Sequence, residues 1–298
     1  MSLSQLSLPS SIKRTKPEGI ELIEIENEFA KAVITTHGAS VLSYQPQNQQ
    51  DLLWVSSEAV FDGSKPVRGG IPICWPWFGN ATTEGWPAHG FVRNQVWQLE
   101  KAEQLENGHT SITLQIEHTE QSKRYFSPDF KLSLKVEVGP KLRLTLSTKL
   151  QGTETAEITE ALHTYFNIAN PETLKVSGLA GSMHFDKLDE TKPAEPQGDL
   201  VELLPPRDSV YQNQSNDMVI HDTENQRNIH IKTDNVRSAV IWNPGPEIVK
   251  SFSDINNQGW KEFACVEPGN VLSDAQIVTP EKVHRLTVEY WIENYSSK

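Results

Sequence analysis

The chain has 298 residues, of which 37% are hydrophobic and 22% charged, and 27 Lys and Arg against 39 Asp and Glu give a formal net charge of −12. A chain of this length and apolar content can bury a sizeable core, which excludes a disordered tail protein. The acidic balance repels nucleic acid and anionic membrane, and no apolar run is long enough to span a bilayer, so a soluble protein without either partner is expected.

Residues 1–17 alternate Leu with Ser and lack a basic stretch followed by an apolar one, so they do not read as a signal peptide. They predict a loosely ordered N-terminal segment on a cytoplasmic protein, with residues 1–298 forming a single domain. Residues 20–26, 29–35, 111–117, 131–138, 141–150, 228–232 and 283–292 alternate apolar with polar side chains, the period of half-buried strands. Gly139-Pro140 separates two of these runs and predicts a β-hairpin with Lys135, Glu137 and Arg143 on a wet face. Long 3.6-residue periods are scarce, and short strands divided by Gly, Pro, Asn and Asp argue for an antiparallel sandwich. The predicted fold class is all-β.

Two stretches break the alternation. Residues 67–93 carry five Gly and three Pro, which neither a helix nor a central strand accommodates, and predict a long structured loop. Residues 193–216, rich in Pro, Gln, Asn and Asp, predict a surface connection between distant strands. Cys74 and Cys265 are the only cysteines, too few for a disulfide framework, and their apolar neighbours suggest inert small hydrophobes in a reducing compartment. The nine His include no close pair at metal spacing, and no phosphate-cradling glycine motif occurs. Neither a metal nor a nucleotide cofactor is expected.

The 67–93 loop gathers Arg68, Trp75, Trp77, Phe78, Trp86, His89, Phe91 and Arg93. Aromatic faces stack on sugar C–H faces and guanidinium forks bind phosphate or hydroxyl oxygens, so this composition suits a ligand site. The same aromatics could plug the end of a sandwich, and the arginines could be held by Asp62 or Glu84. His163 in Leu162-His163-Thr164-Tyr165-Phe166 has the position of a strand-end histidine facing a cleft, able to move a proton near neutrality, or of a hydrogen-bonded core histidine. Glu267 follows a short apolar strand and precedes Pro268-Gly269, which reads as a turn. Its carboxylate is either a tuned general base or a solvated cap.

Together Arg68-Gly69-Gly70-Ile71-Pro72, Pro76-Trp77-Phe78-Gly79, His89-Gly90-Phe91-Val92-Arg93-Asn94, Leu162-His163-Thr164-Tyr165-Phe166, Trp242-Asn243-Pro244 and Val266-Glu267-Pro268-Gly269 resemble, in order and spacing, the hexose-6-phosphate mutarotases of the aldose 1-epimerase superfamily. The resemblance spans about residues 20–293 and implies a large β-supersandwich of the galactose mutarotase type. It implies a cofactor-free isomerase acting at the anomeric carbon of a phosphorylated hexose. Position by position it makes His163 and Glu267 catalytic and Arg68, His89, Arg93 and Asp208 substrate-binding, with Trp77, Phe78 and Phe91 as an aromatic pocket wall. The chain departs from relatives in having Arg207 before Asp208-Ser209-Val210-Tyr211, and Ala88 where some carry Gln.

Anomerisation needs a base on the C1 hydroxyl and an acid on the ring oxygen O5, with the roles exchanged on closure. Glu267 is the expected base and His163, charged at rest, the expected acid. Arg68 and Arg93 would bind the 6-phosphate, His89 and Asp208 the hydroxyls. The rival readings are a non-catalytic sugar-binding sandwich and a glycoside-processing enzyme built on Asp208 and Glu267. A monomer is expected, because charged or short edge strands suffice to protect a sandwich.

Overall fold

The structure, a computed structural model, describes residues 7–17, 19–214 and 217–295. Two large sheets with antiparallel ladders carry the fold. One has nine strands, in the order Leu200–Glu202, Lys175–Ser177, Met218–Asp222, Arg227–Asp234, His284–Asn294, Leu142–Leu150, Phe130–Val138, Thr110–Glu117 and Gln98–Gln104. The other runs Glu195–Pro196, Met183–Asp186, Arg207–Gln212, Ser238–Asn243, Phe263–Asn270, Glu160–Leu162 and Ile73–Cys74, with Tyr165–Asn167 also pairing to Phe263–Asn270. A four-stranded sheet, Ile12–Thr15, Leu22–Glu26, Ala30–Thr35 and Val41–Pro46, completes the main architecture.

The alternation in the sequence becomes two-faced packing. In the 139–140 hairpin Leu134 opposes Leu146 and Val136 opposes Leu144, and the amide of Gly139 donates to the Lys141 carbonyl at 3.2 Å. Leu134, Leu144, Ile229 and Val288 from the nine-stranded sheet meet Tyr211, Ile241, Val266 and Leu162 from the eight-stranded sheet in one buried cluster. Burying such side chains stabilises the fold by roughly 1.5–3 kcal/mol each before the entropy of ordering is counted. The all-β expectation holds. No helix among the described residues is long and apolar enough to cross a membrane.

Three expectations change. Within 1–17, residues 1–6 lie outside the described residues, while Ile12–Thr15 is a strand paired with Leu22–Glu26, and Ile12 is buried. Within 193–216, Arg207–Gln212 is an internal strand between Met183–Asp186 and Ser238–Asn243. Its outer face carries a polar Asp208, which disguises it as a connector. Pro268-Gly269 is no turn, since both lie inside Phe263–Asn270, which is buried along its whole length.

That strand is covered on both faces, which explains its apolar run. Ala264 and Val266 point into the inter-sheet core, and Cys265 and Glu267, two residues apart, share the opposite face. Tyr165 opposes Cys265 on one side and Ala161 opposes Gly269, so the same register carries His163 opposite Glu267. The ladder opens at this point: the His163 amide instead donates to the Pro72 carbonyl at 2.9 Å. Pro268, which has no amide hydrogen, sits beside the opening.

Candidate active site

The outer face of the eight-stranded sheet forms the floor of a cleft of about 650 Å³. Cross-strand pairing sets its two rows. Asp208, Trp242, Cys265 and Tyr165 fall side by side in one, and Val210, Val240, Glu267 and His163 in the next. Loops close the walls, bringing Arg68, Phe78, Ala88, His89 and Arg93 from 67–93, Lys187 from beyond Met183–Asp186, and Phe252 and Leu272 from later turns.

The 67–93 loop is held by backbone that tolerates no side chain at its closest approaches. Gly90 has φ +76°, and a Cβ there would lie 1.8 Å from the Trp75 carbonyl oxygen. His89 itself adopts φ 61°, its amide donating to the Gly79 carbonyl at 2.7 Å. The Gly79 amide donates to His89 Nδ1 at 3.3 Å, which leaves the ring hydrogen on Nε2. Burial, then the Arg93 and Arg68 charges, pushes this imidazole down to about 3, so His89 is a neutral donor.

His163 Nε2 lies 3.4 Å from Glu267 Oε1, and the two residues are 8% and 1% exposed. Glu267 Oε2 and His163 Nδ1 are buried without a hydrogen-bond partner. Two orphaned polar atoms at one spot are costly in a folded protein and mark a place built for something else to satisfy them. Burial, followed by His89, Arg93 and Arg68, holds the His163 pKa well below its ordinary value. Burial and Asp208 hold the Glu267 pKa well above the carboxylate range, Arg93 opposing. Both shifts favour the proton on Glu267 over the imidazolium expected from sequence. Desolvation penalises both charges, and two arginines face the imidazole.

The His163 ring stacks on Tyr165 at 4.8 Å and meets His89 edge-on at 5.6 Å, which fixes its plane. Arg68 is held by Asp254 and Tyr165, not by Asp62 or Glu84: its Nε donates to Asp254 Oδ1 at 3.1 Å and its Nη1 to the Tyr165 hydroxyl at 3.0 Å. The guanidinium also lies over the Phe252 ring at 5.0 Å. Burial works against its charge, but Tyr165 and Asp254 outweigh burial and raise its pKa. Arg93 Nη2 donates to the Ala88 carbonyl at 3.0 Å while its Nε is buried without a partner. Asp208 is pushed up to about 6 by burial, against Lys187 and with Asp186 and Glu190.

The structure thus brings His163, Glu267, Arg68, His89, Arg93, Asp208 and Phe78 to one cleft. Trp77 and Phe91 are not part of its wall. Phe91 is buried in the inter-sheet core, and Trp77 packs against that core and Trp86, its Nε1 donating to the Pro87 carbonyl at 3.1 Å. Their places are taken by Tyr165, Trp242 and Phe252. Of these, Tyr165 and Trp242 stand on Tyr165–Asn167 and Ser238–Asn243, strands absent from the sequence reading, and the period-two rule finds them only once those strands are assigned. Lys187, which ion-pairs with Glu190, had no signal beyond its charge.

The cleft thus lies on the outer face of one sheet of a large antiparallel sandwich. The structure superposes on the crystal structure of "a putative mutarotase (YeaD)" from Salmonella typhimurium with a TM-score of 0.90 and 32% identity, covering 97% of this chain and 95% of that one. It also shares its fold with a galactose 1-epimerase from Lactobacillus acidophilus, TM-score 0.71 at 15% identity over 97% and 100% of the two chains. An Escherichia coli K12 protein named "Putative glucose-6-phosphate 1-epimerase" is 35% identical over 272 residues, 91% of this chain and 90% of its own length. The aldose 1-epimerase family pattern matches residues 21–291, and the chain belongs to that family. It is an isomerase that interconverts the anomers of a sugar. Family membership decides against the non-catalytic sugar-binding reading.

Proposed function

We propose that the chain interconverts the α and β anomers of a hexose 6-phosphate, D-glucose 6-phosphate foremost, by ring opening and closure at the His163–Glu267 pair. The observation that carries the phosphate is the presence of Arg68 and Arg93 in the same cleft as that pair, a local cationic site on a protein of net charge −12. The name carried by the Escherichia coli relative supports the same substrate.

On binding, the phosphate dianion offsets the two arginine charges that disfavour an imidazolium, and the proton crosses from Glu267 to His163 Nε2. The Glu267 carboxylate then takes the C1 hydroxyl proton while His163 protonates O5. The ring opens to the aldehyde, C1 rotates about C1–C2, and the reversed transfers close it inverted. His89 donates from Nε2 and Asp208 accepts from sugar hydroxyls, while Tyr165, Trp242 and Phe78 supply apolar surface for the sugar face. The enzyme acts as a monomer in the cytoplasm, a reducing compartment that suits its two buried free thiols.

Magnetisation-exchange NMR at the anomeric protons of glucose 6-phosphate and of glucose, with and without protein, tests this. Faster exchange for the ester alone is the expected result. Equal acceleration of both sugars removes the phosphate role of Arg68 and Arg93, and acceleration of neither overturns the proposal.

A further inference from the structure

Among the described residues one group of three side chains has the donor types and closeness of a metal site: His163, Cys265 and Glu267, whose ligand atoms all lie within 4.8 Å of one another. Sequence spacing conceals it, because 102 residues separate the histidine from the cysteine and only the strand register joins them. The established reaction uses no thiol, and Cys265 stands behind the proton-transfer pair, between Trp242 and Tyr165 in the adjoining row.

We propose that Zn²⁺ binds His163, Cys265 and Glu267 as a three-ligand N, S, O site and thereby silences the enzyme. A tetrahedral zinc ion takes Zn–N and Zn–O bonds of about 2.0–2.2 Å and a Zn–S bond of about 2.3 Å, which puts ligand atoms about 3.3–3.8 Å apart. The side chains need close by only about 1 Å. Thiolate, imidazole and carboxylate are the set that zinc selects over harder cations, and three protein ligands leave a fourth position for water facing the cleft.

Charge balance favours the complex in a buried place. A thiol and a carboxyl each lose a proton and the imidazole binds neutral, so Zn²⁺ enters and two H⁺ leave with the net charge unchanged. The orphaned polar atoms on His163 and Glu267 show that the pair is not saturated by protein partners. Arg68 and Arg93 oppose the cation, which keeps binding reversible and makes bound phosphate an aid to it. A metal on these groups leaves neither an acid nor a base for the sugar. The effect on rate rests on the acid–base reading above, whereas metal binding itself is read without any substrate.

The experiment uses Zn²⁺ for rate measurements and Cd²⁺ as a spectroscopic stand-in. In the wild type we expect inhibition that a chelator reverses, and with Cd²⁺ an ultraviolet thiolate-to-metal absorption band at one equivalent. Cys265→Ser should keep the basal rate, need at least about tenfold more Zn²⁺ for the same inhibition, and lose the band. Cys74→Ala should behave as wild type. Should Cys265→Ser fail to fold, the band in wild type and Cys74→Ala, together with its weakening in Glu267→Gln, still decides. Wild type that binds Cd²⁺ without the band, or equal inhibition of wild type and Cys265→Ser, overturns the proposal.

Discussion

Asp254 Oδ1 accepts a hydrogen bond from Arg68 Nε at 3.1 Å, and the same carboxylate receives Lys65 Nζ at 3.3 Å. Arg68 therefore reaches the cleft already oriented and partly neutralised. Asp254→Asn keeps an acceptor for Nε and removes the negative charge. At the high effective dielectric of a partly exposed cleft, one charge is worth about 1 kcal/mol. The KM for glucose 6-phosphate should fall roughly fivefold. A rise in KM would mean that the carboxylate matters only for holding the guanidinium.

Removing either member of the proton-transfer pair should act on the chemical step. His163→Asn and Glu267→Gln are each expected to lower kcat by about 10²–10⁴ with KM changed less than about threefold. Exchange NMR reads the rate and circular dichroism checks the fold. A comparable rate in Glu267→Gln and wild type would sink the base assignment.

The pH dependence separates the cleft's carboxyls. Burial raises the Glu267 pKa and lowers the His163 pKa, so any loss of kcat from ionisation of Glu267 is expected well above the ordinary carboxylate range. Asp208 titrates at about 6, and below that it ceases to be a charged acceptor for sugar hydroxyls. kcat/KM should drop below pH 6 in wild type, and in Asp208→Asn the drop should shrink to the part set by the substrate phosphate's own ionisation at about pH 6.

The same carboxyl has a stability signature. Its folded pKa exceeds the ordinary 3.8, so its contribution is most favourable at low pH and is lost as the pH rises through about 6. Asp208→Asn should therefore be more stable than wild type at pH 8, by about 1 kcal/mol after allowance for partial exposure, and not at pH 3. Urea unfolding at the two pH values measures the difference.

Gly90→Ala tests the scaffold of the loop. A Cβ 1.8 Å from the Trp75 carbonyl at φ +76° forces the His89 turn apart. A loss of more than about 2 kcal/mol in thermal unfolding is expected, with activity falling alongside. Gly79→Ala, which meets nothing within 4 Å but shares a positive φ, should cost less.

Strands with one wet face were legible because alternation records burial directly: 131–138 and 141–150 appear as Phe130–Val138 and Leu142–Leu150. Arg207–Gln212 was not, since its cleft-facing side puts Asp208 where a strand would show an apolar residue. The pairing of His163 with Glu267 was available only through resemblance, because register across a hundred residues leaves no local trace. Trp77 and Phe91 share a loop and a composition with Phe78, and their backbone direction alone sends them inward. Tyr165 and Trp242 could have been inferred once Tyr165–Asn167 and Ser238–Asn243 were taken as strands facing the cleft.

The near-complete burial of Glu267 and His163 bears on where the catalytic proton comes from. In the proposed mechanism the pair gives one proton to O5 on opening and receives one from the C1 oxygen, and on closure the traffic reverses. Each full cycle thus returns the pair to its starting state with no demand on the solvent. On that reading the buried pair runs as a closed proton circuit, recycling a single hydrogen between sugar and protein, and its speed need not depend on how fast a buffer delivers or removes protons.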